Sequence, residues 1–217
     1  MTQLMRVRKA AAAVLPIDGF TGQPLQDSVR VRMEDGGSFV RKESGIVVFW
    51  DNGSRERQLL VDGPYFHRET VNLDMGRLEQ KWQPTYSVWL RPSGSYPYPS
   101  GIRLREGKAD PGTLIRRPQE QTAGLIRLLP PAPGQGQSSL CLDVPELLHM
   151  EGRTLFLRSR ESGRGEYATV WEERSRSMGI YELEMPPAGE FSAGDTQILL
   201  VSETFSDENG WYRIPEM

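Results

Sequence analysis

The chain has a single cysteine, Cys141, among its 217 residues. One thiol closes no intrachain disulfide and builds no thiolate cluster around a metal. A disulfide-stapled secreted fold is thereby excluded, while export itself is left open. Histidine is nearly as scarce, with His67 and His149 the only two. A Ser-His-Asp site would need one of them, yet no G-x-S-x-G turn occurs. Ser44 and Ser162 each stand between Glu and Gly and read as turn residues. His67 sits among charged neighbours and reads as an exposed strand position.

Metal and phosphate patterns are missing too. There is no H-x-x-x-H, no C-x-x-C and no acidic loop with EF-hand spacing. The Ser206–Gly210 stretch, SDENG, reads as a β-turn that needs no ion. The glycine-rich PAPGQGQSS at 131–139 lacks the lysine and following helix of a phosphate loop. Glu172 and Glu173 are adjacent in a strand and point to opposite faces, so they cannot share a substrate. No cofactor, metal or catalytic residue is therefore expected, and an enzyme is not the expected reading.

No stretch approaches the roughly 18 apolar residues of a membrane span. The opening MTQLMRVRKAAAAVLPIDGF has a basic stretch and then a short apolar run, like a signal peptide. That run is alanine-weak, contains Pro16 and lacks a small-residue cleavage site before Asp18, so it reads as a first strand. Lysine occurs four times against 22 arginines. Guanidinium groups suit protein interfaces, and genomic GC bias gives the same ratio. Residues 1–105 carry 15 Lys+Arg and 11 Asp+Glu, whereas 106–217 carry 11 and 18. The positive excess is spread thinly, unlike the clustered basic face of a nucleic-acid binder. It also allows a homo-oligomer joined positive half to negative half.

What the chain does have is strands. Val29, Val31 and Met33 alternate with Arg30 and Arg32, the period-2 mark of a half-buried strand. Gly45–Trp50, GIVVFW, ends at Asp51-Asn52-Gly53, a strong hairpin signal with QLLV at 58–61 as the return strand. Tyr86, Val88 and Leu90 alternate with Ser87 and Trp89. The second half repeats the habit around Leu155–Leu157, Tyr167–Trp171, Ile180–Met185, Gln197–Val201 and Gly210–Ile214. The one helix candidate is PELLHM at 145–150, with Pro145 in its first turn. Short strands at near-even spacing predict an all-β chain of two β-sandwich-type domains with short hairpins and at most one short helix.

The expected boundaries are 1–92 for the first domain, 93–100 for a Pro/Tyr connector and 101–217 for the second. In the connector, Tyr96 and Tyr98 each precede a proline, which biases both to extended geometry and makes a stiff spacer. Trp89, Tyr96 and Tyr98 are the candidate partner-interface residues. An exposed aromatic platform for sugar is the competing reading of the tyrosines.

The stretch PIDGFTGQPLQDSVRVRMEDGGSFVRKESGIVVFWDNGSRERQLLVDGPYF, residues 16–66, resembles the carboxypeptidase regulatory-like, transthyretin-like β-sandwich. Thr21, Gly22, Pro24, Leu25, Val29, Val31, Gly45, Phe49, Leu60, Val61, Gly63 and Tyr65 stand where that family's pattern places them. The stretch departs from the pattern at Arg41–Gly45, where an Asp-Gly turn is commoner. Residues 95–117, SYPYPSGIRLREGKADPGTLIRR, are similar to the aromatic-proline run and second-domain start of proteins associated with phage tail-like contractile injection particles. The resemblance implies a non-enzymatic structural or adaptor component of a multi-protein assembly. Its partners would be other protein subunits, with no nucleic acid and no membrane insertion. It would be cytoplasmic until incorporated into a particle. The alternative is a surface module that binds carbohydrate or another cell-surface ligand.

Overall fold

The computed structural model describes residues 10–50, 53–81, 85–128, 139–143, 149–175, 179–185, 187–189, 191 and 194–216, with the backbone alone at 121–128 and 139–143. The fold is all-β, as the alternation predicts. One four-stranded sheet runs β3-β4-β1-β7, from β1 (Ala10–Asp18), β3 (Phe39–Arg41), β4 (Val47–Trp50) and β7 (Thr85–Leu90). A three-stranded sheet runs β2-β5-β6, from β2 (Arg30–Met33), β5 (Glu56–Gly63) and β6 (Phe66–Asp74).

These two sheets face each other across one core. Val14, Phe49, Val88 and Leu90 come from the first sheet, and Val31, Leu59, Val61 and Leu73 from the second. Arg30 and Arg32 stay outside while Val31 and Met33 are buried, so the charged and apolar faces fall where the period-2 pattern puts them. A short helix, α1 (Met75–Glu79), follows β6 and adds Met75 and Leu78 to this core. Asp74 caps it by accepting from the Arg77 amide.

The second half has its own core of Met150, Leu155, Leu157, Val170, Leu183 and Ile198 among others, and none of these residues belongs to the first. Its strands are β9 (Leu114–Leu128), β10 (Ser139–Asp143), β11 (Thr154–Ser159), β12 (Gly165–Ser175), β13 (Ile180–Leu183) and β14 (Thr196–Phe205). They pair in the closed order β10-β13-β12-β11-β14-β9. The two packed layers of a sandwich are reached here by one sheet curled on itself. β8 (Arg103–Lys108) and β15 (Trp211–Glu216) form a separate two-stranded ribbon.

Two local expectations change. Gly45–Trp50 and Gln58–Val61 are not the two arms of a hairpin, because β4 pairs with β1 and β3 while β5 pairs with β2 and β6. Residues 51 and 52 lie outside the described residues, and Gly53 has φ +83°. β4 and β5 belong to different sheets, and a local Asn-Gly signal cannot report which strand the next one will join. The expected helix at 145–150 lies mostly outside the described residues, whereas α1 was not anticipated. The hairpin joining β3 to β4 does turn on glycine. Gly45 has φ +86°, and a Cβ there would stand 2.8 Å from the Leu25 carbonyl oxygen. The SDENG stretch is the expected turn: Asp207 Oδ1 accepts from the Asn209 and Trp211 amides.

Candidate functional site

Strand β7 has two buried faces. Val88 and Leu90 enter the first core, while Ser87 and Trp89 point to the second half of the chain. Ser87 is only 5% exposed, although its alternation with apolar residues suggests a solvent face. The covering surface is the loop before β11. Ser87 Oγ shares a hydrogen bond with His149 Nε2 at 2.9 Å. The Trp89 indole N–H donates to the Glu151 carbonyl at 2.7 Å, and its ring stacks on His149. Gly152 lets the halves meet this closely. Its φ is +75°, and a Cβ would stand 2.6 Å from the Ser87 carbonyl oxygen.

Charge closes one end of this seam. Lys81, with a side chain 2% exposed, places Nζ 2.9 Å from Glu151 Oε1. The same ammonium lies 4.2 Å from the Trp171 ring centroid, and the Arg77 guanidinium lies 4.0 Å from it. Two cations of the first half thus hold one indole of the second, an attraction that grows as water is excluded. Burial raises the Glu151 carboxyl above the usual carboxylate range. The Lys81 charge opposes that shift and the Glu172 and Glu173 charges reinforce it.

Arginines close the other end. Arg91 holds Glu69 at 2.6 Å and Glu203 at 3.2 Å, and Arg116 holds the second oxygen of Glu203 at 2.7 Å. Burial works against the Arg91 charge, but the carboxylates of Glu203 and Glu69 outweigh it and raise Arg91 above the usual arginine range. Burial raises the Glu69 carboxyl above the usual carboxylate range; Arg91 opposes that shift and the Glu203 charge adds to it. Beside them the Thr204 hydroxyl donates to the Pro92 carbonyl at 2.7 Å. His67 Nε2 stands 3.4 Å from the same hydroxyl. His67 is half-buried against Phe205 and not at an exposed position, because the second half covers that face of β6. Burial and then the Arg91 charge lower its pKa.

Of the three interface candidates, Trp89 faces the second half of the same chain. Tyr96 is 9% exposed and belongs to the first core, with its hydroxyl donating to Asp18 Oδ2 at 2.7 Å. Tyr98 packs edge-on to Phe20 and lies 4.7 Å from Tyr96, centroid to centroid. Burial pushes the Tyr98 phenol up to about 12. Tyr96, buried in the first core, offers no free flat face for a stacked sugar. The connector is thus fastened to the first half, and Arg213 of β15 reaches back to the Gly94 carbonyl.

The Ser87–His149 pair resembles part of a nucleophile site, but space decides against that use. The seam holds cavities of about 20 and 40 Å³, large enough for a water and too small for a substrate. The larger cavity, about 630 Å³, is an open groove lined by Glu34, Asp35, Glu56, Arg57, Gln58 and Asp74. Its Arg57 is committed to a bidentate pair with Asp35. Among the described residues, no group of three or more His, Cys, Asp or Glu stands close enough to hold a metal ion. Nor is any described helix long and apolar enough to cross a membrane. No protein-family model matches the chain, and no similar sequence is found among curated proteins.

Proposed function

We propose that the chain is a non-enzymatic structural or adaptor component of a multi-protein assembly. The observation that carries this reading is the seam. Two separately cored β units are tied by hydrogen bonds, ion pairs and stacked rings, and the two small cavities described along their seam are about 20 and 40 Å³. Such a body suits fixed spacing of two outward surfaces. Large apolar side chains remain exposed on the outer strands: Phe39 at 47% and Val40 at 40% on edge strand β3, and Trp211 at 50% on β15. Phe39 and Val40 are consecutive, so both faces of that edge are apolar. The resemblance of residues 16–66 and 95–117 supports a phage tail-like contractile injection particle as the assembly.

The test is sedimentation of native lysate. The wild-type chain is expected in a fast-sedimenting fraction, far above its monomer. Phe39→Asp/Val40→Asp is expected to lower that fraction at least tenfold, since losing central interface anchors costs about 2 kcal/mol or more. Its melting temperature should stay near wild type, both side chains being exposed. A wild-type chain that runs only as a monomer in native lysate contradicts the reading.

A further inference from the structure

We infer that the small pocket beside Arg153, between the two halves of the chain, binds a monatomic inorganic anion of the chloride class. Trp89 and Arg91 approach it from the first half, and Arg153, Thr154 and Glu203 from the second. Its volume of about 20 Å³ admits one occupant the size of a water. A phosphate or an organic carboxylate does not fit.

The charges around the pocket do not cancel. Arg91 and Arg116 are matched by Glu69 and Glu203, two cations to two carboxylates. Arg153 is left over. It is 8% exposed and its guanidinium lies 4.8 Å from the Trp89 ring centroid. Among the described residues no carboxylate forms an ion pair with it. Burial holds its pKa down to about 10, with no opposing charge to restore it. Buried charges in proteins are paired or bound to an ion, because the cost of leaving one desolvated is large. A water in the pocket would supply a hydrogen bond and leave the charge. An anion supplies both. Thr154 also lines the pocket, whereas the Trp89 N–H is already used on Glu151. An anion here touches both halves, so occupancy should stabilise the closed seam.

The experiment is thermal melting of the full chain in sodium chloride and in sodium gluconate at equal ionic strength. Chloride at a tenfold excess over its dissociation constant should raise the melting temperature by about 3 °C relative to gluconate, which is too large to enter. The difference should saturate with chloride and vanish in Arg153→Met. Equal melting in both salts, or a difference that survives Arg153→Met, overturns the assignment. Should that variant fail to fold, a bromide-soaked crystal of the wild-type chain decides the matter. An anomalous peak in the pocket supports the site, and a pocket holding only water overturns it.

Discussion

Lys81→Ala destabilises the chain by about 3–5 kcal/mol, the cost of breaking a buried ion pair from one side. The Lys81 side chain is 2% exposed and that of Glu151 is 12% exposed, so water cannot easily replace the lost ammonium. The variant leaves Glu151 near Glu172 and Glu173, and removes the cation from the Trp171 face. The pH dependence follows from the direction of the Glu151 shift. Its folded carboxyl already binds a proton more readily than the unfolded one, and without Lys81 that bias grows. A raised folded pKa gives stability that is lost as pH rises through the raised value. The deficit of Lys81→Ala should therefore be largest near neutral pH and narrow as pH falls toward the ordinary glutamate range. Lys81→Met with Glu151→Leu should be close to neutral, since both charges leave together. Urea unfolding across that pH range measures all three. A loss under about 1 kcal/mol for Lys81→Ala would mean that the pair behaves as an exposed one.

Val31→Asp is expected to cost about 4 kcal/mol or more, from lost apolar burial and a carboxylate with no partner in the core. Val31 is 3% exposed and faces Val61 across the β2–β5 ladder. Its neighbour tests the register. Arg30 is exposed and opposite Asp62, so Arg30→Asp sets like charges across the ladder and should cost under about 1 kcal/mol. Comparable losses for the two substitutions in chemical denaturation would place β2 in the other register, because a one-residue slip exchanges its faces.

That strand shows what a sequence can disclose by itself. Val29, Val31 and Met33 alternate with arginines because one face meets a core and the other meets water, and the pattern needs no distant information. β7 shows the limit. Ser87 sits at an apparent solvent position, yet its face is covered by a loop some sixty residues later in the chain. A small polar residue in contact with another domain looks the same in sequence as one in contact with water. The same cause hid the position of His67 and the pairing of Lys81 with Glu151, since each depends on how two cores dock. Gly152 reads in sequence as the residue past the end of a helix at 145–150; it stands instead in a turn closed by the Arg153 amide on the Met150 carbonyl, at φ +75°, and lies in close approach to the Ser87 carbonyl. The Asn-Gly signal erred in the opposite direction, because it carries no information on which sheet the next strand joins, and β4 and β5 belong to different sheets. The Tyr-Pro pattern predicts a stiff segment at Tyr96 and Tyr98 but not what holds it: the Asp18 carboxylate and Phe20, from the end of β1 and the turn after it.

Two separately cored β units docked through this seam should tumble as one rigid body. Backbone ¹⁵N relaxation in solution tests this most directly. Amides of β1–β7 and amides of β11–β14 should report one shared rotational correlation time and one diffusion tensor, that of the whole chain. Two different correlation times, each matching a body of about half the chain's size, would contradict it.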